Sequence, residues 1–251
     1  MQITPALGID IGGSGIKGAI VDIAAGDFLT DRIRIPTPEK STPNNVAAVV
    51  AEIVDSFDRQ LADGPIGITI PALVTHGITR SAANIDSSWV DAPAADIFSQ
   101  RLGRPVVLVN DADAAGFAEV RFGAAAGEEG LVLMTTLGTG IGTALIYRGV
   151  LIPNTELGHI EIDGKDAEKR AAASAKATEK LSYARYIPRL QRYYETLEKL
   201  FSPDLFVVGG GVSKESDKFL PMLKLRAPIV PAALRNRAGI IGAAVLASEE
   251  R

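Results

Sequence analysis

One order of segments occurs twice along this chain of 251 residues, and it narrows the fold more than any single motif. Residues 7–11, 16–23 and 28–35 are short β-branched runs separated by glycine-bearing turns, which predicts a three-stranded meander. A helix follows, opened by Thr42-Pro43, with apolar residues at 46, 49, 50, 53, 54, 57 and 61. Strands at 66–70 and 106–109 come next, with a loop at 84–89 and a helix at 94–102 between them. Then the order restarts. Strands at 131–137 and 141–147 flank a second glycine turn, a helical region at 166–201 breaks near Ser182 and Pro188, and a strand at 205–208 runs into three glycines. A helix at 213–223, a strand at 228–230 and a helix at 237–248 close the chain. The repetition predicts a duplicated α/β architecture of two lobes around a central cleft. The lobes are expected at 1–112, completed by 237–251, and at 113–236.

Within this pattern the apolar run 106–109 ends abruptly in Asn110-Asp111, followed by small residues suited to a closely packed helix. A carboxylate at the carboxyl end of a buried strand lies where open α/β sheets carry their chemistry, so Asp111 is a candidate general base. Asp10-Ile11-Gly12-Gly13-Ser14-Gly15-Ile16-Lys17 places glycines in a turn between two strands. There, backbone N–H groups can approach a phosphate closely and Ser14 adds a hydroxyl donor. A strand follows, so the stretch is neither a Walker loop nor a dinucleotide fingerprint. Gly138-Thr139-Gly140-Ile141-Gly142 repeats the design, and Gly209-Gly210-Gly211 offers a third surface of close approach. Taken singly, each feature has an ordinary structural reading: Asp111 as a helix cap, the glycines as hairpin geometry. Their order and spacing together favour a phosphate-handling site.

The combination resembles the ROK family of sugar kinases, in the actin/hexokinase/Hsp70 superfamily with its ribonuclease H-like lobes, over essentially the whole chain. In that resemblance Glu156-x-Gly158-His159 corresponds to the sugar-binding motif and Asn110-Asp111 to the sugar-binding pair that includes the base. Most members follow the histidine with a Cys-rich zinc motif whose glutamate also holds the sugar. This chain has no cysteine, which rules out that structural zinc, but Glu168 falls where the third sugar ligand is expected. The stretch 158–171 and the short length resemble the polyphosphate-dependent glucokinase and glucomannokinase branch. The resemblance implies phosphorylation of glucose, and of mannose, at the 6-hydroxyl. Asn110, Glu156, His159 and Glu168, with Asn84 as a further candidate, would pair with sugar hydroxyls. Asp111 would accept the 6-hydroxyl proton, and Asp10 would orient Mg²⁺ through water. Gly12, Gly13, Ser14, Lys17, Gly138, Thr139, Gly140, Gly209, Gly210 and Gly211 would hold the donor phosphates. Trp89 is assigned to packing, and His76, in a surface turn, receives no role.

The donor is either inorganic polyphosphate, with ATP as a second donor, or ATP alone. A nucleotide needs a slot for its base, which residues 209–211 and the next helix could form. Polyphosphate needs a run of positive groups, and residues 165–192 carry eight Lys/Arg against three acids. A solvated helix face is the competing reading of that run. A sugar-responsive repressor is disfavoured because the first strand starts near Leu7, and the net charge of −4 gives no attraction to nucleic acid. An actin-like filament protein does not account for Glu156-x-Gly158-His159. No apolar run approaches the ~20 residues of a membrane span, and the first residues lack a secretion-signal pattern. The expected setting is the cytoplasm, and the family habit is a homodimer.

Overall fold

The computed structural model describes residues 5–82 and 85–250; Asn84 lies outside the described residues. Its elements are β1 (Pro5–Gly12), β2 (Gly15–Asp22), β3 (Asp27–Phe28), β4 (Ile33–Ile35), α1 (Pro43–Ser56), α2 (Asp58–Leu61), β5 (Ile66–Ile70), β6 (Val74–Thr75), β7 (Ile78–Thr79), α3 (Ala94–Leu102), β8 (Val107–Asn110) and α4 (Asp111–Phe122). There follow β9 (Leu131–Leu137), β10 (Ile141–Tyr147), β11 (Val150–Ile152), β12 (Glu161–Ile162), β13 (Lys165–Asp166), α5 (Glu168–Ala171), α6 (Ala173–Thr178), α7 (Tyr183–Phe201), β14 (Leu205–Gly209), β15 (Ile229–Pro231) and α8 (Ala238–Glu249). The chain forms two compact units: unit 1 is Met1–Ala118 with Arg237–Arg251, and unit 2 is Glu119–Asn236.

Unit 1 is built on a sheet of order β3-β2-β1-β5-β8, with β4 also on β2. The hairpin β1–β2 is antiparallel, whereas β5 lies parallel to both β1 and β8. β5 is buried along its whole length, as expected of a central strand covered on both faces. Helix α8 lies against β1 and β5, close enough that a Cβ on Gly8 or Gly67 would run into the carbonyl of Ile240 or Ala243. Trp89 is buried against Phe98, and its indole N–H donates to the Ser41 carbonyl at 2.7 Å, in keeping with a packing role. The strand expected at 28–35 is split into β3 and β4. Between them Thr30 Oγ1 accepts the Ile20 N–H at 3.1 Å, a side chain taking the place of a ladder partner.

Unit 2 repeats the topology, with a sheet of order β11-β10-β9-β14-β15. Here β9–β10 is the antiparallel hairpin, and β14 runs parallel to β9 and β15. Helix α7 buries Tyr186, Leu190, Tyr193, Tyr194 and Leu197, a stripe at helical spacing. The break near Ser182 is present, between α6 and α7. Pro188, by contrast, lies inside α7 without ending it: it is on the exposed side of the helix, and the stripe is anchored by Tyr186 and Leu190 on either side of it. The helix expected at 213–223 is instead two 3₁₀ segments, Gly211–Lys218 and Leu220–Met222. Glu215 leaves the helical region, its carboxylate accepting from the Tyr183 hydroxyl at 2.7 Å, and Pro221 cannot continue the preceding turn. Glu119 is fully buried, and its carboxylate accepts backbone N–H groups of Ala124, Ala233 and Leu234 at 2.7–3.0 Å.

Candidate active site

In unit 1, the candidate residues fall at the carboxyl ends of parallel strands. Asp10 pairs in register with Thr69 on β5 and with Lys17 on β2. Its carboxylate accepts from Lys17 Nζ at 2.9 Å and from Thr69 Oγ1 at 3.1 Å, so the acid is held from both sides. The Gly12–Gly15 turn is fixed from outside the hairpin: Arg34 donates to the Ser14 carbonyl at 2.7 Å and Thr37 to the Gly12 carbonyl at 2.5 Å. The Arg34 guanidinium also lies where a Cβ on Gly15 would be. Arg34 and Thr37 did not emerge from the sequence pattern, since each reaches the turn from a different segment. The space around Gly13 is open.

Asn110 ends β8, and α4 begins at Asp111. The cap of α4 is Asn110, whose Oδ1 accepts from the N–H groups of Ala112 and Asp113 at 2.8 and 3.1 Å. Its Nδ2 donates to the Ala72 carbonyl at 3.1 Å, which leaves one amide N–H for another partner. Capping is thus Asn110's task, and Asp111 is the first helical residue, one of its oxygens accepting from its neighbour Ala112 at 2.8 Å.

In unit 2, Glu156, His159 and Glu168 come together. Glu156 precedes a single 3₁₀ turn, Leu157–His159, which brings its carboxylate to 4.0 Å from His159 Nε2. Gly158 is required in that turn, because a Cβ there would strike the Ile141 carbonyl. His159 Nδ1 lies 3.0 Å from Asp166 Oδ2; a carboxylate can only accept, so Nδ1 carries the proton and Nε2 is the atom left for a ligand. Asp166 Oδ1 accepts the Glu168 N–H at 2.9 Å, and Glu168 Oε2 accepts the Ile141 N–H at 2.7 Å. One carboxylate, Asp166, therefore sets the positions of two candidate sugar ligands. The sequence offers no clue to it, since the contact depends on the β12–β13 hairpin folding residue 166 back onto residue 159.

The electrostatics follow from this packing. Burial pushes the Glu156 carboxyl up from its ordinary value, with His159 opposing and Glu168 reinforcing the shift. The hydrogen bond that His159 donates to Asp166 raises the His159 imidazole, helped by the Glu168 and Glu156 charges and opposed by burial. A raised histidine contributes to stability below its unfolded value of ~6.5, and that contribution fades as pH climbs through the folded value. Asp166→Asn is expected to move the His159 titration midpoint down toward ~6.5, read by NMR of the two histidines with His76→Ala for assignment. An unmoved midpoint would mean that Asp166 does not control the ring.

The second glycine turn is tied to this cluster. Gly138 N–H donates to the Gly140 carbonyl at 2.9 Å, and a Cβ on Gly140 would strike the Glu168 carboxylate. Ser174 donates through its N–H to Gly138 and through its hydroxyl to the Thr139 carbonyl, at 3.0 and 2.5 Å. Gly209 ends β14 beside Thr136 of β9. Gly210, at φ +81°, presses so closely on the backbone of Leu137 that no side chain fits, whereas Gly211 faces open space. The basic segment 165–192 is distributed over β13, α5, α6 and α7. Lys165, Lys169, Lys180 and Arg185 are exposed, Lys176 Nζ lies 4.4 Å over the Tyr183 ring, and Arg189 and Arg192 form ion pairs.

Among the described residues no group of three or more His, Asp or Glu side chains could hold a metal ion, and no helix is long and apolar enough to cross a membrane. Residues 6–174 match the ROK family. A polyphosphate glucokinase of Mycobacterium tuberculosis (strain CDC 1551 / Oshkosh) is 50% identical over 239 residues, 95% of this chain and 89% of the relative. The crystal structure of an inorganic polyphosphate/ATP-glucomannokinase from Arthrobacter sp. strain KM superposes with a TM-score of 0.93 at 52% identity, covering 99% of this chain and 100% of the other. A ROK family glucokinase from Streptomyces griseus, solved in complex with glucose and AMPPNP, gives 0.79 at 26% identity over 98% and 99%. The α/β actin/hexokinase-like fold class expected from the sequence holds.

Proposed function

The chain belongs to the ROK family, and from that premise we propose that it transfers a phosphoryl group from inorganic polyphosphate, and also from ATP, to the 6-hydroxyl of glucose and mannose. The observation that carries this reading is the near-full-length match to relatives named for polyphosphate-dependent sugar phosphorylation. The grouping of Glu156, His159 and Glu168 around Asp166 supports it as a hexose site. Neighbouring sugar hydroxyls need partners that accept and donate in pairs. The two glutamates accept, His159 Nε2 accepts or donates with its protonation state, and the remaining Asn110 N–H donates.

In phosphoryl transfer the protein mainly positions the reactants and offsets charge. Asp111 takes the proton of the sugar 6-hydroxyl as that oxygen bonds to the terminal phosphorus. The bridging P–O bond breaks, and the donor leaves one phosphoryl group shorter. The two glycine turns and Ser14 direct N–H and O–H donors at the donor's phosphates, and Lys17 adds positive charge. Asp10 fits Mg²⁺ only as a single outer carboxylate, because its oxygens already face Lys17 and Thr69; Mg²⁺ accepts such a place when phosphates and water supply its other ligands. Bound there, the ion would neutralise donor charge. The reading takes the enzyme as a cytoplasmic homodimer, whose mass light scattering reads directly.

The acceptor assignment is tested by initial rates with glucose, mannose and 6-deoxyglucose. Both hexoses should be phosphorylated, and 6-deoxyglucose should compete with glucose without being turned over. Phosphorylation of 6-deoxyglucose would place the reaction at another hydroxyl and remove Asp111 from its role.

A further inference from the structure

Unit 2 contains a cavity of about 110 Å³ that none of the residues discussed above as sugar or donor-turn ligands lines. Its walls are apolar at Ile162, Ala171 and Tyr193 and cationic at Arg170, Arg189 and Arg192. The arginines are not equivalent. Arg189 and Arg192, one turn apart on α7, are each gripped by a carboxylate: Arg189 by Glu179 at 2.6 and 2.7 Å, Arg192 by Asp163 at 2.8 and 3.1 Å. Arg170, on α5, is half-buried, and its guanidinium has no hydrogen bond or ion pair to a described residue; its backbone alone is engaged, the N–H donating to the Ala167 carbonyl and the carbonyl accepting from Arg189. It nonetheless exerts an electrostatic pull on both Asp163 and Glu179. Three arginines thus line one apolar-walled cavity while two carboxylates pair with two of them, an excess of one positive charge among these five groups. Arginine forks match phosphate oxygens in geometry, and apolar walls strengthen the attraction by displacing water.

We propose that this cavity is a phosphate-binding subsite whose principal ligand is Arg170. It rests on the proposed function for its natural occupant: a phosphoryl unit of the polyphosphate chain remote from the reacting end, or free inorganic phosphate. Helix α5 carries both Glu168 and Arg170, so the subsite adjoins the hexose cluster within the same unit.

The test compares wild type with Arg170→Gln. The KM for long-chain polyphosphate should rise about tenfold relative to the KM for ATP, the size of one lost charge-assisted hydrogen bond. Calorimetry of the resting enzyme with tripolyphosphate and with inorganic phosphate adds the second arm. Loss of inorganic phosphate binding in the variant, with the polyphosphate KM unmoved, would assign the subsite to free phosphate. A folded variant that keeps both the KM ratio and the calorimetric binding would overturn the proposal. If Arg170→Gln does not fold, Arg192→Gln on the exposed rim takes its place. Wild type inert toward polyphosphate would instead reject the functional reading, while calorimetry would still decide the cavity.

Discussion

Asp111→Asn and Asp111→Ala are expected to lower kcat for glucose phosphorylation by about 100- to 10,000-fold, the usual range for removing a positioned general base. The fold should survive both, because the cap of α4 is supplied by Asn110, through its bonds to Ala112 and Asp113, rather than by Asp111. Glucose binding, read by calorimetry, should weaken far less than kcat falls, since the hydroxyl partners Glu156, His159 and Glu168 are untouched. A variant that is folded by circular dichroism and retains more than about a tenth of the wild-type rate, well above the expected range, would remove Asp111 from the mechanism.

Gly67→Val is expected to produce one of the largest losses of stability among single changes to unit 1. Gly67 is the second residue of β5, and the atoms facing its missing side chain are the backbone of Ala243 in α8. A rotamer change cannot relieve a clash with backbone, so the helix must leave the sheet. The cost is on the order of 4 kcal/mol or more, among the largest for point substitutions. Gly13→Ala is the control: nothing lies within reach of its Cβ, and stability should shift by no more than about 0.5 kcal/mol. Urea unfolding midpoints compare the two. Equal midpoints would show that α8 does not need this close approach.

The α8 contact also marks how far the sequence could be read. Strand and helix positions followed from period and punctuation. Helix α3 occupies 94–102 and β5 occupies 66–70, where those signals placed them. The glycine turns were legible because a strand-turn-strand rhythm leaves few other roles for glycine. The residues that hold the site in place were not. Asp166, Arg34 and Thr37 act on partners 7, 20 and 25 residues away, through hairpins whose register no local pattern encodes. Local rules also failed where a tertiary contact outweighed them. Pro188 stays within α7, on its exposed side, with Tyr186 and Leu190 buried on either side of it. Residues 211–222 give up an α-helix where Glu215 turns toward Tyr183. Where β3 and β4 part, the Ile20 N–H is taken by a hydroxyl, that of Thr30.

The central claim is that this chain phosphorylates a hexose from inorganic polyphosphate. Its most direct test is the initial rate of glucose 6-phosphate formation with Mg²⁺ and nucleotide-free polyphosphate, set beside the same assay with ATP. The account predicts turnover with polyphosphate in the complete absence of nucleotide, at a rate at least equal to that with ATP. Turnover with ATP and none with polyphosphate would contradict it, leaving an ATP-dependent hexose kinase in which the basic segment 165–192 is a solvated face.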